Sequence, residues 1–463
     1  MTYRARKLLF LFSILAFLTL SGPLLLYTFG YRLSLSNFDI HKTGGVFIHT
    51  NPPGTDLAIG EVKQTTSYLT GNAFIQNLRP APYTIRVSRK SYQSWEKTVD
   101  VEAQTVTELF PVLMPATPII TVLKTASSTG MRASPNASLL ILYDTKKAKH
   151  IYELFDPNLH KTLPFADALS QSLIASVPPD AVWNWNASET GALIETSDNW
   201  IRLTRQDNVI RVRSLYRQTP LAHIVSKKPR LLAEDPRNVD SYFFLDGTNF
   251  ARWNTKTNVA QQLLQSIGGF LVGDTYLILW DMQSGAPQIT TFDATQPRPY
   301  ATSSFPIITE SKMREIGSYL LLASKDKTWL LSNSGKNPSQ LSTNSSNLQN
   351  ILHTDAYVLW WDNHTISIHW IVPEQQLPSF QKSQQETLYE SNETIQNVMP
   401  YPEEHYLIIQ EENTIYTLEL DGRGGTRNKH ILYKGNKPSF FAPPHKKILY
   451  VYDNGSLLAI ELP

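Results

Sequence analysis

The chain contains no cysteine among its 463 residues. This absence excludes disulfides, thiolate nucleophiles, zinc sites built on cysteine and iron–sulfur clusters. The chain also has almost no net charge, because 42 basic residues nearly balance 40 acidic ones and leave +2. No overall field therefore favours a nucleic acid or an acidic polymer as the partner. We predict that the protein does not bind nucleic acid.

Motifs that carry chemistry are also missing. The sequence has no H-E-x-x-H, no G-x-S-x-G and no G-x-x-x-x-G-K-[ST], and its eleven histidines show no metal-ligand spacing. One acidic group, Glu403, Glu404 and His405, falls in a connection between predicted strands, and we interpret it as a solvated edge. The sequence predicts no catalytic residue, no metal ligand and no cofactor.

One long apolar segment opens the chain. Residues 8–31 carry no charge, and Arg4, Arg6 and Lys7 precede them. Roughly 20 apolar residues suffice to cross a bilayer core, and basic residues favour the cytoplasmic side. We therefore predict a cytoplasmic tail at residues 1–7, a transmembrane anchor at 8–31 and an extracytoplasmic body. A cleaved signal peptide is the alternative, but Ser21-Gly22-Pro23 in mid-run matches its cleavage site poorly.

A small β domain is predicted after a linker at residues 32–44. Tyr83, Ile85 and Val87 alternate with polar residues, which is typical of a strand with one buried face. Turn signals such as Pro52-Pro53-Gly54 separate about six short strands between residues 45 and 115. A domain of this length is too short for a parallel sheet with crossover helices.

The segments VFIHTNPPGTDLAIG and FIQNLRPAPYTIRVSRKSYQSW give residues 45–115 a family resemblance. They resemble a PEGA domain, with departures at Thr50, Thr55, Ala81-Pro82 and Ser91. The resemblance implies a small β-sandwich, found mostly in bacterial and archaeal surface proteins, with no catalytic residues. The positions that match the family pattern are Pro52, Gly54, Gly60, Tyr83, Lys90, Tyr92 and Trp95.

Residues 118–463 repeat a different pattern, in which two apolar strands are joined by a polar turn. A period of roughly 40–50 residues with several strands per unit is typical of a β-propeller. The spacing favours eight blades, with seven as the alternative. The last unit lacks an outer strand, and we expect PIITVLKT, from Pro118, to supply it and close the ring. The predicted hairpins begin near residues 138, 191, 241, 275, 319, 356, 405 and 447.

Two residue classes in this region have alternative interpretations. Aspartates such as Asp246 and Asp453 fall between paired strands, and without a D-x-D-x-D-G pattern we interpret them as turn residues rather than calcium ligands. Aromatic residues could stack sugars at a rim or pack between blades, and packing is the default interpretation. These aromatic residues are Trp183, Trp185, Trp360, Trp361, Trp370, Phe440 and Phe441.

The sequence thus predicts a mainly β protein with an N-terminal transmembrane helix, a small PEGA-like β-sandwich and a β-propeller. We expect a non-enzymatic, membrane-anchored cell-envelope protein that acts as an extracytoplasmic binding or scaffold platform. Its expected partners are the membrane and a protein, peptide or cell-wall glycan ligand. The alternative is an extracytoplasmic hydrolase or lyase with its site in the propeller channel.

Overall fold

The structure is a computed structural model of the whole chain, and its description covers most of the sequence. The residues described are 3–28, 31–34, 39–125, 128–145, 150–186, 188–217, 219–225, 227–273, 276–294, 297–299, 312–316, 319–323, 328–332, 339–341, 351–354, 356–371, 378, 380, 383–403, 405–444 and 446–463.

The chain begins with helix α1 (Tyr3–Thr28), whose large apolar side chains between Leu8 and Leu25 are mostly exposed. A two-stranded sheet of β1 (Tyr31–Ser34) and β2 (Asp39–Lys42) follows. Among the described residues, no helix combines the length and the apolarity needed to cross a bilayer. The structure therefore does not support the predicted transmembrane anchor at residues 8–31.

A seven-stranded β-sandwich, called here the sandwich domain, comes next. Strand pairing gives one sheet in the order β6-β3-β9 and a second in the order β5-β4-β7-β8, so β8 is an edge strand. Alternate side chains such as Val46, Ile85 and Trp95 fill the space between the sheets. The strands are β3 (Gly44–His49), β4 (Asp56–Ile59), β5 (Val62–Thr65), β6 (Asn72–Leu78), β7 (Ala81–Ser88), β8 (Trp95–Val101) and β9 (Val106–Leu109).

Within the described part of residues 120–463, the strands form eight four-stranded antiparallel sheets. Each sheet is one blade, numbered in chain order. The first four blades are β11 (Gly130–Ala133), β12 (Leu140–Asp144), β13 (Ile151–Asp156) and β14 (Lys161–Leu163); β15 (Val182–Trp185), β16 (Gly191–Glu195), β17 (Trp200–Gln206) and β18 (Val209–Ser214); β19 (Leu231–Asp235), β20 (Asn238–Asp246), β21 (Asn249–Asn254) and β22 (Val259–Leu264); and β23 (Ile267–Val272), β24 (Leu277–Asp281), β25 (Ala286–Thr290) and β26 (Arg298–Pro299). Helices α2 (Ala168–Ile174) and α3 (Leu221–Ile224) precede blades 2 and 3.

The other four blades complete the set. Blade 8 takes its outer strand, β10 (Ile120–Thr125), from the beginning of the region. The strands are β27 (Lys312–Ile316), β28 (Tyr319–Ala323), β29 (Thr328–Ser332) and β30 (Ser339–Leu341); β31 (Ile351–His353), β32 (Tyr357–Trp361), β33 (Thr365–Trp370) and β34 (Gln385–Glu390); β35 (Ile395–Pro400), β36 (Tyr406–Glu411), β37 (Thr414–Glu419) and β38 (Lys429–Lys434); and β39 (Ser439–Phe441), β40 (Ile448–Asp453) and β41 (Ser456–Glu461).

The blades form a closed ring, because each pair of neighbouring blades shares an apolar cluster. Clusters join blades 1 and 2, 2 and 3, and so on to 7 and 8. A further cluster joins blade 8 to blade 1 through Tyr450, Leu457 and Leu142. Central strands are buried on both faces, which explains why they appear in the sequence as continuous apolar runs such as YVLWW. The predicted hairpins and the predicted closing strand are therefore confirmed.

Candidate functional site

One face of the propeller carries the candidate functional features. In every antiparallel blade, the connection from the first to the second strand and that from the third to the fourth lie at the same end. We call the propeller face formed by these connections the docking face. In blade 7 they are residues 401–405 and 420–428. Both connections contact the sandwich domain.

The centre of this contact is a buried lysine. The side chain of Lys97, in edge strand β8, is 0% exposed, and its ammonium lies 3.0 Å from Glu419 and 3.8 Å from Asp421. It also donates to the main-chain carbonyl of Asp421 at 2.5 Å. Trp95 donates from its indole nitrogen to the Glu419 carboxylate at 3.2 Å. The sandwich domain thus places a cation and an indole donor against two propeller carboxylates.

The two carboxyl groups respond to this environment in opposite directions. Burial is the largest effect on Glu419 and raises its pKa, although Lys97 and Asn428 favour its ionised form. Burial also acts on Asp421, but hydrogen bonds from Arg423 and the charge of Lys97 outweigh it and hold the pKa of Asp421 below its ordinary value. Glu419 is therefore the less readily ionised member of the pair.

Further contacts surround the lysine. Asn51 donates to the Glu403 carboxylate at 2.5 Å, and the amide of Val112 donates to the Tyr406 hydroxyl at 3.0 Å. Phe110 stacks on His405, with 4.1 Å between ring centroids and 7° between planes. The predicted solvated edge at residues 403–405 is therefore wrong for two of its members, because Glu403 and His405 contact the sandwich domain; Glu404 lies outside the described residues.

The glycine-rich connection at residues 422–428 fits closely against β8. Gly424 has φ of +74°, and a Cβ at this position would lie 2.3 Å from the main-chain oxygen of Thr98. Gly425 also has a positive φ, of +79°, but a Cβ there would have no atom within 4 Å. Glycine at position 424 is thus required both by its backbone conformation and by the close approach of the two domains.

The residues of the PEGA-like pattern serve the sandwich itself. Gly54 and Gly60 have positive φ in turns, and Tyr83 and Tyr92 pack against the sandwich core. Lys90 is exposed and Pro52 is half-buried in the first turn. Trp95 both fills the core and reaches the propeller. The basic residues Arg4, Arg6 and Lys7 lie in α1, where Arg6 and Lys7 are exposed.

The second feature of the docking face is a cavity of about 570 Å³ where the first strands of blades 1, 2, 6, 7 and 8 converge. We call it the channel-mouth pocket. Thirteen described residues line it; twelve of these are apolar or aromatic, and Arg132 is the only charged residue among them. The residues most relevant to its chemistry are Met131, Arg132, Trp183, Trp185, Met399 and Phe441.

The aromatic residues noted in the sequence divide into two groups. Trp360, Trp361, Trp370 and Phe440 are buried, as the packing interpretation predicts. Trp183, Trp185 and Phe441 are instead half-exposed and line the channel-mouth pocket. The Trp183 and Trp185 rings lie 6.0 Å apart with 27° between their planes, because both point to the same side of β15.

Arg132 is held at the edge of this aromatic surface. One guanidinium nitrogen, Nη1, donates to the carbonyl of Ala181 at 2.7 Å, which joins blade 1 to the entry of blade 2. No group of three histidine, aspartate or glutamate side chains among the described residues has a geometry suited to a metal ion. The chemical character of the pocket is therefore apolar and aromatic, with one positive charge.

Replacing Lys97 by methionine tests the contact between the domains. The substitution leaves the Glu419 carboxylate buried without its cation, whereas Asp421 keeps Arg423. We therefore expect a loss of about 3–5 kcal/mol, measured by urea unfolding followed by tryptophan fluorescence. The matched control is R86M, which removes the exposed Arg86–Glu96 pair and should cost less than about 1 kcal/mol. Equal effects of the two substitutions would contradict the account.

The same variant has an expected pH dependence. A carboxyl whose folded pKa is raised destabilises the fold when ionised, and this cost disappears as the pH falls through that pKa. Removing Lys97 raises the pKa of Glu419 further. The stability difference between K97M and the wild type should therefore shrink as the pH is lowered from 7 to 5. A difference that stays constant or grows would contradict the charge assignment.

Replacing each of two neighbouring glycines by alanine distinguishes the cost of backbone strain from the cost of a clash between the two domains. Both G424A and G425A place a side chain at positive φ, which costs about 1–2 kcal/mol. Only G424A also pushes against Thr98, so we expect it to lower the urea midpoint more than G425A and to increase proteolysis between residues 113 and 119. If the two variants behave alike, the close approach of the domains is not a constraint.

Known proteins resemble parts of this chain. No curated protein matches the chain significantly. One solved structure that resembles it is the C-terminal WD40 domain of Sif2, with 10% identity and a TM-score of 0.43 over 75% of this chain and 99% of that one. A second is the β-propeller domain of Myceliophteria thermophila Cps50 (Swd1), with 11% identity and a TM-score of 0.37 over 75% of this chain and 100% of that one. A third is the dihydro-heme d1 dehydrogenase NirN, with 12% identity and a TM-score of 0.36 over 67% of this chain and 67% of that one.

These TM-scores lie below 0.5, and the strand pairing of the chain itself shows the propeller fold. The family model of the PEGA domain matches residues 43–117, which confirms the resemblance found in the sequence.

Proposed function

We propose that the protein is a non-enzymatic binding platform whose ligand site is the channel-mouth pocket. The observation that carries this proposal is the half-exposed aromatic surface of Trp183, Trp185 and Phe441 inside a cavity of about 570 Å³. Ligand pockets commonly have volumes of about 300–1,000 Å³ and apolar or aromatic linings with few polar groups. The pocket has all of these properties.

The composition of the lining supports recognition of a partner. Tryptophan, phenylalanine, methionine and arginine are enriched at the centres of protein interfaces, whereas lysine, glutamate and aspartate are depleted there. The lining follows this pattern with Met131, Arg132, Trp185 and Met399. The rigid ring of blades supplies the fixed geometry that a binding site needs.

The sandwich domain is held in a fixed orientation relative to the pocket. Its buried contacts with blade 7 put it on the same face of the propeller as the pocket. A ligand in the channel-mouth pocket would therefore be presented at a fixed position relative to the sandwich domain. This arrangement suits a scaffold that displays a binding site at a defined place.

We propose a location in the cell envelope, with the body outside the cytoplasm and residues 8–31 as the membrane attachment. Support comes from the uncharged sequence of this segment and from the exposed apolar side chains of α1, such as Phe10, Leu15 and Phe17. Contiguous exposed apolar surface of this kind marks an interaction site for a membrane or another protein. The exposed charges of Arg6 and Lys7 favour the cytoplasmic side for the N-terminus.

The alternative of a hydrolase or lyase in the propeller channel receives no support from the pocket. Acid–base catalysis needs a carboxyl, an imidazole or a comparable proton donor within reach of the substrate. The described lining of the channel-mouth pocket contains neither a carboxyl nor an imidazole. Binding remains the function that this geometry supports best.

The dye 1-anilinonaphthalene-8-sulfonate, an aromatic anion, tests whether the pocket binds ligands. We expect saturable fluorescence enhancement with the folded wild type and at least tenfold weaker binding with W185A, because the variant loses the aromatic surface. The matched control is Y68A, which removes an 80% exposed tyrosine of the sandwich domain and should not change the affinity. Unchanged dye binding in a folded W185A would contradict the proposal.

Cell fractionation tests the proposed location. The full chain, expressed in a bacterial host, should sediment with membranes and resist carbonate extraction, and a chain lacking residues 1–31 should be soluble. Recovery of the full chain in the soluble fraction would contradict membrane attachment.

A further inference from the structure

We infer that the channel-mouth pocket takes the C-terminal end of a peptide with apolar last residues, whose terminal carboxylate binds Arg132. This inference rests on the proposed function, because it names the ligand class of the same pocket. It is carried by the pairing of one positive charge with an otherwise apolar and aromatic lining.

The charge of the lining favours an anionic group. Arg132 is half-buried, and its guanidinium has five N–H donors in a planar fork. In the described hydrogen bonds, the guanidinium uses only one nitrogen, Nη1, which donates to the carbonyl of Ala181. A carboxylate can accept two parallel hydrogen bonds from the other edge of such a fork, and these charge-assisted bonds are stronger in a partly desolvated site.

The rest of the lining argues against a sugar. A pyranose brings several hydroxyl groups, and each loses free energy on burial unless it finds a hydrogen-bond partner. The thirteen lining residues that the structure describes include no asparagine, glutamine, serine, threonine or acidic side chain. Trp183 and Trp185 could stack a sugar face, but the other described lining side chains, apart from Arg132, offer its hydroxyl groups no hydrogen-bond partner.

The shape of the pocket favours a peptide end over a fatty acid. A long alkyl chain is best enclosed by a narrow tunnel, whereas this cavity is an open bowl to which residues of five blades contribute. Methionines such as Met131 and Met399 adapt to side chains of different shape. A chain end can insert its last residues among these blades while the rest of the peptide leaves toward solvent over the docking face.

The test compares two fluorescein-labelled hexapeptides that end in Leu-Phe, one with a free carboxylate and one amidated. With the wild type, fluorescence anisotropy should show at least tenfold tighter binding of the free acid. R132Q keeps a side-chain donor for the carbonyl of Ala181 but removes the charge, so it should bind both peptides equally. R132K should recover part of the difference. Unfolding midpoints equal to the wild type establish that these variants are folded.

The other outcomes separate this inference from the proposed function. Equal binding of acid and amide by the wild type would overturn the inference. Displacement of the anilinonaphthalene dye by decanoate or by chitohexaose, with no displacement by either peptide, would also overturn it but would leave a ligand site in the pocket. If W185A binds the dye as well as the wild type does, the proposed function itself fails.

Discussion

Closure of the propeller ring constrains everything else in this chain. Blade 8 obtains its outer strand, β10, from residues that directly follow the sandwich domain, and Ile120 of β10 pairs with Ile460 near the C-terminus. Residues 115–119 separate β10 from the buried Met114 of the sandwich domain and can span at most about 18 Å. The sandwich domain must therefore lie beside the last blades, and its contacts with blade 7 are made within this short reach.

Apolar and charged groups contribute differently to that contact. Val112 and Met114 join the apolar cluster of blades 7 and 8, and this burial supplies a favourable free energy that does not depend on direction. Burial of Lys97 with Glu419 and Asp421 is costly, because desolvation opposes the Coulomb attraction. We interpret the ion cluster as the element that fixes one orientation, since another arrangement of the domains would separate Lys97 from Glu419.

The sequence predicted the blades because their signal is local. Each central hairpin is two apolar runs and a turn, and the missing strand of the last unit could be matched to PIITVLKT. The docking contact could not be predicted in this way, because Lys97 and Asp421 lie 324 residues apart. One signal was present: Lys97 falls on the same face of its strand as Trp95 and Val99, where an apolar residue is expected. The channel-mouth pocket likewise combines residues from five blades. The sequence therefore identified its tryptophans as candidate binding residues, but it could not predict which other residues lie beside them.

The central claim is that the sandwich domain and the propeller form one rigid unit that holds the channel-mouth pocket in a fixed orientation. The absence of native cysteines allows spin labels to be attached at E61C in the sandwich domain and at E393C in the connection between blades 6 and 7, both at exposed positions. The most direct measurement is the distance distribution between these labels by double electron–electron resonance. The account predicts a single narrow distribution in the wild-type background that broadens when K97M is added. A broad distribution without K97M would contradict it.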